Sequence, residues 1–196
     1  MTRRAAWLLA VALGGCAATP IAPPSAEMPD PVALRQWTAS GRLALAAHNQ
    51  GGSGSFTWEQ RQDVTTLVIR GPLGSGSLRV VGHGESLLIE DGEGGSLDSD
   101  RAREELRQRL GADLPWSHLR YWMLGVPSPA EPGSVAASPE PPVRVIEQSG
   151  WRIGYDSLVP AGGAWLPGRF TATRGDVRLK VIVDDWGVPA AGGLGP

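Results

Sequence analysis

From Gly41 to Trp186 the chain repeatedly alternates apolar and polar residues with a period of two, in short runs broken by glycine. That pattern points to antiparallel strands with one buried face. Leu43 and Leu45 alternate with Arg42, Ala44 and Ala46. A turn-rich stretch follows over 49–54, and then Phe56 and Trp58 alternate with Thr57 and Glu59, which reads as a hairpin. Further strands are predicted over 64–70, 77–81 and 87–90. A second block is predicted over 143–148, 151–155, 169–173 and 177–186. In the last of these, Val177, Leu179, Val181 and Val183 share one face, Arg178, Lys180 and Asp184 share the other, and Ile182 is out of step. A short helix is predicted near 31–37 from Val32, Leu34 and Trp37.

Between the two strand blocks the period changes to that of a helix. Asp98 or Ser99 can cap a helix whose apolar stripe is Ala102, Leu106 and Leu110, closed by Gly111. A second helix is predicted from Pro115, with Trp116, Leu119, Trp122 and Met123 on its apolar side and Gly125 and Pro127 ending it. Residues 127–142 carry six prolines and read as a loop. The expected fold is mainly β: a curved sheet or open barrel of antiparallel strands, with the helices packed on its concave face.

The N-terminus sets the compartment. Arg3 and Arg4 precede an uncharged run from Ala5 to Gly15, too short to stay in a bilayer as a spanning helix, which needs about 20 residues. It ends Leu13-Gly14-Gly15-Cys16, which resembles the lipobox of bacterial lipoproteins. Cys16 is the chain's only cysteine, so it has no disulfide partner within the chain. The expected organisation is a lipoprotein signal over 1–15, a lipidated Cys16 with a proline-rich tether over 16–31, a folded domain over 32–186, and a tail over 187–196. Ala17, not Asp, follows the cysteine, which resembles the sorting rule for the outer membrane. The net charge of −2 grows more negative by two when Arg3 and Arg4 leave with the signal. An acidic product without a basic cluster is a poor nucleic-acid binder.

The enzyme templates find no match. His48, His83 and His118 fall in different elements without metal-ligand spacing, and each reads as a surface residue. The Gly-Ser runs at 52–55 and 74–77 lack the lysine of a phosphate loop. No Gly-x-Ser-x-Gly elbow is present, and Asp184 and Asp185 point to opposite faces of their strand. No cofactor or metal site is expected. The aromatic content says more: seven tryptophans follow Cys16, against two Phe and two Tyr in the whole chain. Indoles on a wide β-scaffold either fill the core or line an apolar cavity. The segment Arg70 to Gly76 sets Leu73 between Pro72 and Gly74 in a stiff excursion. A lone exposed leucine is ordinary on a surface, or touches lipid if the protein is held at a membrane.

The residues together resemble the LolB family of outer-membrane lipoproteins. The resemblance runs from Trp37 to Trp186. It is carried by Ser40-Gly41-Arg42, Gly54 to Trp58, Gly71-Pro72-Leu73-Gly74, Leu110-Gly111 with Leu114-Pro115, and Leu119 to Pro127. Gly150-Trp151 with Tyr155, Leu166-Pro167, and Arg178-Leu179-Lys180 through Trp186 complete it. It implies an incomplete barrel of about eleven strands under a helical lid, and a receptor that accepts acylated lipoproteins from the periplasmic carrier LolA and inserts them into outer-membrane lipid. A monomer on the periplasmic face of the outer membrane is expected. It also implies a membrane-insertion role for the loop Pro72, Leu73 and Gly74. Trp58, Leu106, Trp116, Leu119, Trp122, Met123 and Trp151 are the candidates for cavity or lid. The 127–142 loop and the tail are departures from the family pattern. Two other readings stay open: a different envelope lipid-binding lipoprotein, or a structural lipoprotein that scaffolds an envelope complex.

Overall fold

The computed structural model describes residues 30–47, 50–72, 76–91, 95–110 and 114–189. Cys16, the tether up to residue 29, Leu73, Gly74 and His48 lie outside them. Among the described residues eleven strands form one sheet: β1 Gln36–Ala47, β2 Gln50–Arg61, β3 Val64–Arg70, β4 Ser77–His83, β5 Ser86–Asp91, β6 Ser96–Leu97, β7 Gly133–Ala137, β8 Arg144–Gln148, β9 Trp151–Ala161, β10 Ala164–Arg174 and β11 Val177–Gly187. Two helices, α1 Ser99–Leu110 and α2 Trp116–Met123, stand between β6 and β7 in the chain.

The strand order is β6-β5-β4-β3-β2-β1-β11-β10-β9-β8-β7, antiparallel throughout. Two meanders are thus joined along one seam, where the first strand pairs with the last. Arg42 on β1 grips Asp184 on β11 with two hydrogen bonds, at 2.8 and 3.1 Å, across the exposed side of that seam. The free edges are β6 and β7, so the sheet is open, not closed. The only chain linking those edges contains both helices, and connectivity therefore carries the helices across the gap.

Burial follows the predicted alternation. On β11, Val177, Val181 and Val183 are buried while Arg178, Lys180 and Asp184 are exposed. On β1 the buried positions begin at Trp37, Ala39 and Gly41. Each large apolar side chain removed from water contributes about 1.5–3 kcal/mol. The core gathers them from both meanders, with Phe56 and Trp58 from one and Ile153, Tyr155 and Phe170 from the other.

Several expectations are corrected. The helix predicted over 31–37 is a single 3-10 turn, Pro31–Ala33, and Trp37 instead starts the inward face of β1. There its indole stacks on Trp58 at 5.7 Å and meets Trp186 at 5.3 Å, packing that a helix would forfeit. The stretch 49–54 is not a turn throughout: β2 begins at Gln50 and pairs without a break as far as Ala47 opposite. Its glycines serve close approach, since a Cβ on Gly54 would overlap the Arg70 carbonyl oxygen. Part of the proline-rich loop, Gly133–Ala137, is the edge strand β7. All five of its residues are exposed, so it has no alternation to read. β6, of two residues, is too short to show an alternation. The helix limits agree closely, although Ser99 does not cap α1. Its hydroxyl accepts from Leu87 N and donates to Leu87 O, fastening the helix to β5, while Asp98 O takes the first helical hydrogen bond.

Candidate functional site

The concave face of the sheet and the inner side of α2 enclose an apolar cavity of about 320 Å³. Its walls combine Leu43 and Leu45 of β1, Phe56 and Trp58 of β2, and Leu67 and Val80 of β3 and β4. Phe170, Ala172, Val177, Leu179 and Val181 of β10 and β11 close the opposite side. Trp116, Leu119, Trp122 and Met123 of α2 and Trp151 of β9 form the roof and flank. Among the described lining residues only Ser53 carries a polar side chain beyond the indole N–H groups. A surface of this chemistry offers an occupant dispersion and nothing to hydrogen-bond, so it selects hydrocarbon over any polar ligand. The volume falls in the range of about 300–1,000 Å³ common to ligand sites.

Six of the seven residues assigned from sequence to cavity or lid, Trp58, Trp116, Leu119, Trp122, Met123 and Trp151, line this space. Leu106 lies in α1, whose described contacts are with β5 and β6, and its side chain is outside the described residues. The remaining lining residues, such as Phe56, Leu67, Val80 and Phe170, were not singled out. The signal that would have found them is shared parity: each stands on the buried face of its strand. Of the other tryptophans, Trp165 is exposed at 43% and Trp186 spans its ring toward Pro167, donating to its carbonyl at 3.0 Å.

α2 is fixed at both ends and along its length. Trp116 stacks on Trp58 at 6.2 Å, extending the indole column from the sheet into the lid. Its ring occupies the space beside Gly82, where a Cβ would overlap the indole. Gly82→Val should therefore push Trp116 out, cost about 1–3 kcal/mol of stability, and weaken binding of an apolar probe. Denaturant titration and probe fluorescence check the two effects. At the other end Trp122 Nε1 donates to Gln148 Oε1 at 3.0 Å, and Ser128 N donates to the same oxygen at 2.9 Å. Gln148 Nε2 donates to Ser128 O at 2.8 Å and Glu131 O at 2.7 Å, so all four bonding positions of this buried amide are used. Arg120 on the outer side of α2 pairs with Asp63 at 3.0 Å and donates to Gln62 O at 3.2 Å, tying the helix to the β2–β3 turn.

Tyr155 donates its phenol proton to Trp122 O at 2.8 Å. Burial pushes this phenol far above its ordinary value near 10. The folded state thus keeps the proton after the unfolded state has lost it. Stability is complete below about pH 10 and should fall by about 1.4 kcal/mol per further pH unit from this group. Tyr155→Phe should remove that part of the alkaline slope, as urea midpoints measured between pH 9 and 11 would read.

His118 is buried, at 4% exposure, against its reading as a surface residue. Its ring meets Trp122 edge-on at 5.8 Å, and Nδ1 lies 3.2 Å from Ser149 Oγ. Ser149 also donates to Glu131 Oε2 at 2.5 Å. The carboxylate binds the hydroxyl, not the second imidazole nitrogen, so the three groups do not make a nucleophile relay of the Ser-His-acid kind. Their role in the fold is to fasten α2 to the β8–β9 turn. Among the described residues no group of three His, Cys, Asp or Glu side chains can hold a metal ion, and no helix is long and apolar enough to cross a membrane.

The polarity of the cavity is defined by exposure. Phe56, Trp58 and Gln60 on β2 are buried, whereas Gly52 and Ser53 are exposed. Leu43, Leu45, Ile69, Leu78 and Leu179 around them are half-buried, so the mouth lies at that end. The opposite end is plugged by Trp37 and by Gln60, which accepts from Thr65 Oγ1 at 2.7 Å and donates to Gln62 O at 2.9 Å. Gly71 N donates to Gly76 O at 3.2 Å at the mouth end of β3 and β4. The stems of the Pro72–Gly74 loop therefore leave the sheet beside the mouth, with Pro72 the only one of its three residues described.

Comparison with known proteins bears on the fold and on the family separately. The structure is similar to that of a LolA superfamily protein from Nitrosomonas europaea, with a TM-score of 0.51 over 81% of this chain and 88% of that one; at 8% identity the likeness is one of fold alone. In sequence, outer-membrane lipoproteins LolB of Pseudomonas savastanoi pv. phaseolicola and Pseudomonas syringae pv. syringae are 33% and 32% identical over 78% of this chain and 75% of theirs. That of Stutzerimonas stutzeri is 30% identical over 78% of the chain and 74% of its own. The family model described as outer membrane lipoprotein LolB matches residues 35–186, which span nearly the whole described sheet, and the chain belongs to that family.

Proposed function

We propose that this chain is an outer-membrane receptor for lipoproteins, which takes their acyl chains into its cavity from a LolA-type carrier and releases them into the membrane without nucleotide. The observation that carries the reading is the roofed apolar cavity, whose walls offer hydrocarbon almost nothing but hydrocarbon. Family membership and the fold shared with a LolA superfamily protein support it.

The energetics need no external source. Each methylene kept from water is worth about 0.8 kcal/mol, so an acylated protein does not cross an aqueous space unshielded. Passage from one apolar cavity to another never exposes the chains. Direction follows if the receptor binds them more tightly than the carrier does and the bilayer holds them more favourably still.

On this reading Cys16 carries the lipid anchor and the periplasmic face of the outer membrane is the workplace. The folded domain starts at the plugged end: Gln62 N donates to Arg35 O, and Arg35 pairs with Asp63, at the end of β3 opposite Gly71. The tether thus joins the domain far from the mouth. Residues 16–30 reach at most about 50 Å extended, against about 23 Å for a seven-residue strand such as β3. The chain is long enough for an anchored domain to turn its mouth, and the Leu73 loop, to the same membrane.

A structural scaffold needs a filled core, so the cavity disfavours that rival. The test is a reconstituted transfer: a triacylated lipoprotein bound to the carrier is mixed with this protein and with outer-membrane lipid vesicles. Vesicle-bound cargo should rise with added protein, and an unchanged yield contradicts the proposal.

A further inference from the structure

The sheet ends at β7 without protection. Among the described residues this strand pairs with β8 along one side and with no strand along the other. The opposite edge, β6, is two residues long and packs against α1. All five residues of β7 are exposed, and no charged residue occurs from Pro132 to Pro139. Natural sheets guard such an edge with charge, a bulge or a cover, because its free N–H and C=O groups can pair with another extended chain. The register of β7 with β8 is unbroken over 133–137, so it carries no bulge either.

Val135 adds a second observation. It stands opposite Ile146, which is fully buried, so both side chains lie on the inward face of the sheet. Val135 is nevertheless 52% exposed. The inward side of this edge is thus apolar and uncovered. One more strand would complete it, pairing its backbone with β7 and setting its side chains beside Val135.

Position and direction say which chain that is. Gly133 pairs with Gln148, Gln148 pairs with Trp151, and Trp151 lines the cavity, so β7 starts at the mouth end and runs toward the plugged end. A lipoprotein whose acyl chains fill the cavity has its polypeptide outside the mouth, led by its acylated N-terminal cysteine. The segment after that cysteine can leave along β7 in the direction the strand runs. The chain's own ends fit the edge poorly. Its tether is rich in proline and joins the domain at the plugged end, and its tail leaves from β11, four strands away.

We propose that β7 is a docking edge for the polypeptide of the cargo: the extended segment after the acylated cysteine pairs, in parallel, with residues 133–137, about 17 Å of backbone. This rests on the acyl-binding reading of the cavity and adds a second grip to it. Backbone pairing reads no side chains, so the edge serves cargo of differing sequence.

The experiment uses the mature chain with Cys16→Ala, so that it is free of lipid, and three probes. One is a sixteen-carbon fatty acid brominated to quench the cavity tryptophans. The others are a brominated triacylated lipopeptide with a linker long enough to span β7, and the same lipopeptide N-methylated along its linker. N-methylation should weaken binding about tenfold, equivalent to one or two net backbone hydrogen bonds. Successive N–H groups of a strand point to opposite sides. Of Ser134→Pro and Val135→Pro, one therefore removes a bond to β8 and the other only a free donor. The variant that keeps the unfolding midpoint should lose the same tenfold for the unmodified lipopeptide and none for the acid. Equal binding of the two lipopeptides, or undiminished affinity in the stable proline variant, overturns the docking edge while quenching by the acid leaves the acyl-binding reading intact. A chain that sediments as a dimer, and as a monomer with that proline, also overturns it, since the edge would then serve a second copy. If neither the acid nor either lipopeptide quenches, the acyl-binding reading fails and the docking edge with it.

Discussion

Leu73→Glu is expected to abolish delivery of cargo to vesicles, by tenfold or more, while the cavity still takes up acyl chains. The stems of the loop leave the sheet at Arg70 and Ser77, beside the half-buried rim residues Ile69 and Leu78. The expectation for Leu73, three residues past Arg70 in the chain, rests on where these stems leave the sheet. A leucine entering the interface gains free energy from burying its side chain, whereas a carboxylate entering hydrocarbon is disfavoured by several kcal/mol. Since none of the described wall residues of the cavity is altered, quenching by a sixteen-carbon acid should be unchanged. A Leu73→Glu variant that delivers cargo as well as the unaltered protein would remove the loop from the mechanism.

Gln148→Leu is the substitution expected to cost most stability. The amide serves four partners at once: the Trp122 indole, the Ser128 amide, and the carbonyls of Ser128 and Glu131. Leucine has nearly the same volume and satisfies none of them. Buried groups left without partners cost about 1–3 kcal/mol each, and with partial relaxation the total should be about 3–4 kcal/mol. Because Trp122 roofs the cavity and Gln148 is its only link to β8 through that indole, probe binding should weaken together with stability. Gln148→Glu keeps an acceptor for Trp122 and Ser128 N but sets a second, buried acceptor against the Ser128 and Glu131 carbonyls, and should recover neither. Denaturant midpoints and probe titrations on the same samples measure it.

The sequence made the framework legible where burial and periodicity coincide. Val177 to Val183 alternate because one face of β11 looks into the core, and the stripe of α2 holds Trp116, Leu119, Trp122 and Met123 because that side roofs the cavity. Periodicity carries no information about partners, so the pairing of β1 with β11, which defines the open barrel, was not readable from either strand. β7 escaped notice because an edge strand exposed on both faces does not alternate. The stretch 49–54 resembled a turn because glycine marks both turns and close strand approach. His118 resembled a surface residue although i, i+4 spacing sets it beside Trp122 on α2; what the sequence does not show is Ser149, which reaches it from another element. The polar clamp Gln148 is not legible because its partners Trp122, Ser128 and Glu131 are distant in sequence, whereas those of Gln60 are near and only the β2–β3 turn brings Thr65 back to it.

The cavity is the centre of the account, and tryptophan fluorescence with a matched pair of lipopeptides tests it most directly. Trp58, Trp116, Trp122 and Trp151 all line the space, so an occupant must change their emission. A triacylated lipopeptide should shift and saturate that emission at one equivalent, and its deacylated counterpart should leave it unchanged. Equal responses to both peptides, or none to the acylated one, would contradict the claim that the cavity exists to hold acyl chains.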